Sequence, residues 1–486
     1  MSFNYKDDSL MLHTDLYQIN MAETYWEDGI AEKNAVFEVY FRKLPFNNGY
    51  AVFAGLERVI QYLENLQFSE GDIEYLRQEG FKEDFLAYLK DLRFTGSLRS
   101  AAEGEVVFAN EPLMRIEAPL AQAQIVETAI LNIVNYQTLI ATKASRIKNV
   151  IGDGVVMEFG SRRAHELDAA LWGTRAAFIG GFSSTSNVRA GKLFGIPISG
   201  THAHSMIQAY HDEYIAFHKY ARRHKECVFL VDTYDTLRSG VPNAIRVAKE
   251  LGDSINFRGI RLDSGDLAYL SKEARKMLDE AGFYDTKIVA SNDLDEYTII
   301  NLKAQGAKID IWGIGTKLIT AYDQPALGGV YKLVSIEDEA GNMQDTIKIS
   351  GNPEKVTTPG LKRVYRIIND VNGKSEGDYI CMESEHPETD ERLKMFHPTH
   401  TYISKFVTNF TAVDIHQDVI KDGKLVYETP DIFSIQKYSE QSLEILWDEY
   451  KRSLNPEEYP VDLSPLCWEN KMNHIEKVKI SIQNRK

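Results

Sequence analysis

An α/β fold organised as an irregular parallel α/β barrel is the architecture this sequence predicts, and three observations carry it. Between Val155 and Thr316, six short apolar runs are each followed by a polar turn and then, in most cases, by helical spacing. Before them lies a mixed stretch of helices and alternating strands. After about Leu333 the text breaks into short segments punctuated by Gly341-Asn, Gly351-Asn-Pro, Pro359-Gly and Asn372-Gly. Repeated strand, turn and helix place neighbouring strands parallel, and six such units favour a barrel over an open sheet. The expected division is an N-terminal α+β domain with its linking helix over residues 1–150, a catalytic barrel over 151–335, and a C-terminal extension over 336–486 that completes or packs on the other two.

In chain order, Thr14 or Asp15 reads as the N-cap of a helix that continues through Leu16, Ile19 and Asn20, and periodicity alone turns Tyr17 toward the core. Ala35 to Phe41 alternates like a strand and is broken by Pro45 and Asn48-Gly49. Val52, Phe53, Leu56, Val59, Ile60 and Leu63 fall at helical spacing. Gly104 to Phe108 and Leu113 to Ile116 read as short strands, and Pro119 opens a long helix that ends near Val150. Phe433 to Leu454 reads as helical, and the charged last residues are expected to be less ordered.

Bulk composition narrows the function. Hydrophobic content of 43% marks a globular chain, and a formal net charge of -16 argues against nucleic acid or anionic membrane as general partners. Any anionic ligand must therefore be held by locally concentrated basic groups. Met1-Ser-Phe-Asn-Tyr-Lys-Asp-Asp8 lacks the basic start and apolar run of a secretory leader, and no stretch is apolar for long enough to span a bilayer, so a cytoplasmic location is expected. Cys227, Cys381 and Cys467 are odd in number and far apart, which fits a reducing compartment and gives no zinc cage.

The chemistry sits in the turns. Val155–Phe159 leads to Gly160-Ser-Arg-Arg163, Ile196–Ile198 to Gly200-Thr-His-Ala-His-Ser205, and Val228–Val231 to Asp232-Thr-Tyr-Asp-Thr236. Gly259–Leu262 leads to Asp263-Ser-Gly-Asp266, Lys287–Ala290 to Ser291-Asn-Asp-Leu-Asp295, and Ile309–Trp312 to Gly313-Ile-Gly-Thr316. One such turn is explained by helix capping; six that should open on the same rim are not. Arg162 and Arg163 suit a carboxylate or phosphate, or merely balance surface charge. Asp263 and Asp266 suit ribose hydroxyls or a hydrated magnesium ion, or are caps. Gly313-Ile-Gly-Thr316 suits a phosphate or is a tight turn. His202, His204, His211 and His218 permit a zinc site, although no His-Glu-x-x-His is present, and His204 also suits a phosphoryl-accepting imidazole. Spacing leaves these uses open.

Read together, Thr14-Asp-Leu-Tyr-Gln18, Glu158-Phe-Gly-Ser-Arg-Arg-Ala164, Gly200-Thr-His-Ala-His-Ser205, Val231-Asp-Thr-Tyr-Asp-Thr236, Arg261-Leu-Asp-Ser-Gly-Asp-Leu267, Ser291-Asn-Asp-Leu294 and Gly313-Ile-Gly-Thr-Lys317 resemble the nicotinate phosphoribosyltransferases. The similarity runs in matching order through roughly the first 335 residues. It implies a type II phosphoribosyltransferase-like irregular barrel and the joining of nicotinic acid to 5-phosphoribosyl 1-pyrophosphate. The products are nicotinate mononucleotide and pyrophosphate, the entry step of NAD salvage, in an enzyme class counted among the ligases because ATP hydrolysis is coupled to it. It further implies magnesium, ATP as co-substrate, and a homodimer with shared active sites.

By the same resemblance, His204 is a transient phosphohistidine and Thr201 lies beside it near the nicotinate. Tyr17 stacks on the pyridine ring across the dimer interface, against the core placement that periodicity gives it. Arg162 and Arg261 face the nicotinate carboxylate or the sugar's phosphates. Asp263 takes ribose hydroxyls with Ser264 beside it, and Gly315 and Thr316 take the 5-phosphate. No protein metal ligand is implied, magnesium being carried by substrate phosphates. The alternative is a sister enzyme acting on nicotinamide or quinolinate; a zinc hydrolase or a non-catalytic nucleotide-binding regulator rank below it.

Overall fold

The computed structural model describes residues 10–352 and 355–484. Residues 1–8, expected to carry no leader, lie outside the described residues. The chain folds into two units, Ile140–Pro325 and a second that joins Met1–Leu139 to Ala326–Lys486.

The first unit is built on six parallel strands: β1 (Val155–Glu158), β2 (Ser184–Thr185), β3 (Glu226–Leu230), β4 (Asn256–Leu262), β5 (Lys287–Ala290) and β6 (Ile311–Ile314). They are ordered β2-β1-β6-β5-β4-β3. The irregular barrel of the sequence is realised as a half-barrel whose edges are β2 and β3. Val156, Phe229, Ile260, Leu262, Ile288 and Ile314 are wholly buried, as expected for parallel strands covered on both faces. Helices return the chain between strands, and Gly240 shows how tightly: a Cβ there would stand 1.8 Å from Val231 O.

Ile196–Ile198 does not form the strand expected of it. Only Ile198 bridges Thr185, because Pro197 has no N–H to extend a ladder and Ile198 is 60% exposed. The strand in that place is β2, whose polar Ser-Thr text gave no apolar signal. Deeper in this unit, wholly buried Glu296 takes Arg146 Nε at 2.9 Å and Lys143 Nζ at 2.9 Å, and Lys143 also meets Asp323 at 2.8 Å. That cluster fastens the helix Glu296–Ala304 to the end of the helix Glu127–Ile151.

The second unit holds a seven-stranded sheet and a separate six-stranded one. In the first, strand Asn34–Phe41 pairs antiparallel with Met114–Pro119 on one side and Gly329–Glu337 on the other. Since Gly329–Glu337 pairs there, with Ala35 opposite Ile336, the half-barrel unit closes at Pro325 instead of at 335. The six-stranded sheet is formed wholly after residue 361, by Lys362–Asn369, Ser375–Met382 and their neighbours. Wholly enclosed Arg366 ties it to the N-terminal segment, bonding Asp378 at 2.9 and 2.7 Å, Val106 O at 2.7 Å and the Glu105 carboxylate.

Local chemistry explains the helix ends. Asp15 is the N-cap of Leu16–Glu27, in a capping box with Gln18. The long helix after Pro119 is two, Leu120–Ile125 and Glu127–Ile151. Phe433 to Leu454 gives a helix over Ile432–Glu444 and a 3-10 turn over Asp448–Lys451. The last stretch is not loose: Ser464 caps a helix over Pro465–Gln483 by accepting from Cys467 N–H, Pro465 suits its first position, and the wholly buried Cys467 anchors it.

Candidate active site

Three turns of the half-barrel follow one rule. A polar residue one or two positions past the strand faces the site, and an aspartate three or four positions further on caps the next helical segment. After β3 these are Asp232 and Asp235, whose carboxylate accepts from Leu237 and Arg238 N–H. After β4 they are Asp263 and Asp266, the latter accepting from Tyr269 N–H. After β5 they are Ser291 and Asp295, the latter accepting from Thr298 N–H. Of the two aspartates in Asp263-Ser-Gly-Asp266, Asp266 is the cap, while Asp263 turns its carboxylate toward His204.

The three strand-end residues interlock. Asp232, with a side chain 2% exposed, accepts at Oδ2 from Asp263 N–H at 2.9 Å and from Ser264 Oγ at 2.6 Å. Its Oδ1 is buried and has no hydrogen-bond partner among the described residues. Ser291 donates its hydroxyl to Asp263 Oδ1. Arg261, the penultimate residue of β4, spans the group: Nε donates to Ser291 Oγ at 3.1 Å, Nη1 to Thr201 Oγ1 at 2.6 Å and Nη2 to Asp263 Oδ1 at 3.5 Å. A guanidinium carries five N–H donors, so among the described residues one on Nη1 and one on Nη2 remain to meet a carboxylate end-on.

His204 opens the helix His204–Tyr210 directly opposite. Its Nδ1 lies 3.0 Å from Thr233 Oγ1, which fixes the ring, and its Nε2 stands 3.9 Å from both Asp232 Oδ1 and Asp263 Oδ2. His202 does something else. It is 8% exposed, packs edge-on to Tyr220 at 5.0 Å, and accepts from Leu230 N–H at 3.2 Å through Nε2. Burial lowers its pKa to about 4, so it is a neutral core histidine. His211 ends the helix in a left-handed conformation, and no group of three or more metal-ligating side chains exists among the described residues, so the zinc reading has no site.

The structure thus brings together Thr201, His204, Arg261, Asp263 and Ser264. Asp232, Thr233 and Ser291 belong with them although the sequence reading gave them no role. The available signal was position: Asp232 follows Val228–Val231 just as Asp263 follows Gly259–Leu262.

Arg162 follows β1 in an exposed 3-10 turn, Ser161–Arg163, with no ion pair among the described residues. Gly315 and Thr316 follow the neighbouring strand β6, and a Cβ on Gly315 would lie 3.1 Å from Phe159 O. Gly313 is demanded by packing, since its Cβ would meet the Phe159 ring at 2.6 Å. Tyr17 lies in the other unit, on the helix Leu16–Glu27, and at 47% exposed it is not the core aromatic that periodicity suggested. Burial and then the charge of Glu127 push its hydroxyl up to about 12, so it stays protonated.

The chain also matches known proteins along its length. The N-terminal domain of nicotinate phosphoribosyltransferase (NAPRTase) matches residues 12–135, the NAPRTase family itself residues 155–369, and the NAPRTase C-terminal domain residues 361–471. A nicotinate phosphoribosyltransferase of Bacillus subtilis is 69% identical over 484 residues, 99% of each chain. The chain belongs to the nicotinate phosphoribosyltransferase family. Membership holds at distance, for the Homo sapiens nicotinate phosphoribosyltransferase is 30% identical over 93% of this chain and 94% of its own. The crystal structure of human nicotinic acid phosphoribosyltransferase superposes with a TM-score of 0.84 at 28% identity, covering 95% of this chain and 99% of that one. A nicotinate-nucleotide pyrophosphorylase from Pyrococcus furiosus shares the fold, with a TM-score of 0.69 at 24% identity over 92% of this chain and 99% of its own.

Proposed function

We propose that this chain joins nicotinic acid to 5-phosphoribosyl 1-pyrophosphate, releasing nicotinate mononucleotide and pyrophosphate, and couples the reaction to ATP hydrolysis through His204. Family membership supports the transfer itself. The observation that carries the site assignment is the placement of His204 Nε2 3.9 Å from the carboxylates of both Asp232 and Asp263, beside an arginine with two free N–H groups.

In the transfer, the bond from the ribose anomeric carbon to pyrophosphate breaks and a bond to the pyridine nitrogen forms, with positive charge developing on the sugar. The protein's work is positioning. Arg261 presents its remaining Nη1 and Nη2 donors to the nicotinate carboxylate, since a carboxylate taken out of water is costly without a partner. Nicotinamide has no such charge, which favours the acid as substrate. Arg162, unpaired and adjacent to the Gly315–Thr316 turn, serves the sugar's phosphates, with Gly315 N–H and the Thr316 hydroxyl as donors for the 5-phosphate. Asp263 and Ser264 take ribose hydroxyls, and Thr201, held by Arg261, borders the nicotinate.

Magnesium fits this donor set. Asp232 Oδ1 is a buried carboxylate oxygen without a hydrogen-bond partner among the described residues, the kind of ligand a hard cation prefers. Asp232 and Asp263 would face the ion, with substrate phosphates completing its shell. When bound it neutralises charge on the departing pyrophosphate. His204 stores the phosphoryl group taken from ATP, its ring held by Thr233. A hundredfold tightening of substrate binding on phosphorylation requires about 2.7 kcal/mol, within reach of one or two charge-assisted hydrogen bonds. Tyr17, half exposed, stacks on the pyridine of a partner's site in a cytoplasmic homodimer.

The test is pyrophosphate release from nicotinic acid, phosphoribosyl pyrophosphate and magnesium, with and without ATP, and with nicotinamide in parallel. Release with the acid, stimulated by ATP, is expected. Turnover of the amide alone would move the assignment to the sister activity.

A further inference from the structure

The unit made of Met1–Leu139 and Ala326–Lys486 contains a cavity of about 900 Å³ that none of the half-barrel residues lines. Two opposite charges border it, and neither forms an ion pair among the described residues. Lys471, on the helix Pro465–Gln483, bonds only Thr358 Oγ1, at 3.3 Å, and meets no carboxylate among the described residues. Burial holds its pKa below the ordinary lysine value. Neighbouring Lys362 is already satisfied by Glu38 at 3.1 Å, Thr358 O at 2.8 Å and Gly360 O at 2.7 Å, so Lys471 is the cation with donors to spare.

Asp462, on the strand Val461–Leu463, is 6% exposed, borders the same cavity and has no side-chain hydrogen bond among the described residues. Burial pushes its carboxyl up to about 6, against the pull of Lys405, whose ammonium is bonded to Glu376. A half-buried cation and a buried anion that do not pair with each other are unfavourable unless a third body satisfies both. The lining adds flat rings, Tyr40 and His397. His397 accepts Thr399 and His400 N–H at Nδ1, at 3.1 and 2.9 Å, so its Nε2 carries the proton and can donate. The volume lies at the upper end of that of small-molecule sites, about 300–1,000 Å³, too large for a bare anion.

We propose that this cavity is a second ligand site that binds a nucleoside phosphate, its phosphate on Lys471 and Thr358 and its amino or hydroxyl donors on Asp462. Magnesium and the half-barrel residues take no part in it, so it stands whether or not the transferase reading does.

Hydrogen–deuterium exchange of the intact protein, titrated with AMP and separately with inorganic phosphate, tests it without any turnover. AMP is expected to slow exchange over residues 357–362 and 461–471. Lys471→Met and Asp462→Asn should each weaken that protection about tenfold or more, the loss of one charge-assisted bond, while Asp263→Ala leaves it intact. Asp462→Asn keeps the side-chain shape, so it decides the matter should Lys471→Met fail to fold. Absence of protection there, protection indifferent to Asp462→Asn, or equal protection by inorganic phosphate would each overturn the proposal.

Discussion

Asp263 donates its backbone N–H to Asp232 Oδ2 at 2.9 Å, so the ends of two adjacent parallel strands are locked with both carboxylates turned toward His204. The bond fixes the register of the two turns and leaves Asp232 Oδ1 without a hydrogen-bond partner among the described residues. Two carboxylates held this close favour whatever positive charge enters between them, be it a cation on the substrate's phosphates or the developing charge on ribose.

His204→Ala should abolish stimulation by ATP and nicotinate-linked ATP hydrolysis while leaving slow phosphoribosyl transfer. Pyrophosphate release with and without ATP reads both. Persistence of nicotinate-linked ATP hydrolysis in this variant would falsify the phosphohistidine assignment.

Asp232→Asn separates shape from charge. The amide oxygen can still accept from Asp263 N–H and Ser264, so the melting temperature should move by only a few degrees. Lost charge facing the reaction should lower turnover by roughly a hundredfold, the scale of removing one electrostatic group from an active site. Equal turnover in the two proteins would remove Asp232 from the chemistry.

Arg261→Lys keeps the charge and loses the fork. A single ammonium cannot reach Thr201, Ser291 and Asp263 together and still offer two side-by-side donors. KM for nicotinic acid should rise about tenfold or more, and the preference for the acid over nicotinamide should shrink. Steady-state kinetics with both substrates checks it; an unchanged preference would place the carboxylate elsewhere, with Arg162 the next candidate.

Acid should destabilise the half-barrel through His202. Its folded pKa is lowered to about 4 by burial, whereas unfolded histidine titrates near 6.5, so between those values the unfolded chain binds the extra proton. Stability is therefore full above about pH 6.5 and falls as pH drops toward 4, by up to roughly 3 kcal/mol. Buried His416, likewise lowered to about 4 by desolvation, adds a fall of the same sign in the other unit. Melting curves between pH 7 and 5 should be flatter for His202→Gln than for the parent.

How much of this was legible in the sequence can be judged turn by turn. Asp263 and His204 stood out as candidates because each follows an apolar run that reads as a strand, Arg261 was supplied only by the family resemblance, and β5 begins and ends where its text says. β2 was missed and Ile196–Ile198 overread because polar Ser184-Thr185 is buried by its neighbours' packing, while Pro197 denies the apolar run a ladder. The closing helix Pro465–Gln483 was missed because its charged surface hides the one buried anchor, Cys467.

By itself, then, the sequence determined the repeating strand-and-turn plan and the family, since those depend on local periodicity and on residue types in fixed order. Tertiary structure decided the rest. Only folding could show that of two aspartates in one turn Asp263 faces His204 while Asp266 caps a helix, that His202 is a neutral core residue two positions from a half-buried His204, and that Gly329–Glu337 leaves the barrel to pair with Asn34–Phe41. Each is a choice between partners distant in the chain, and such choices are made by burial and hydrogen-bond satisfaction after the elements meet.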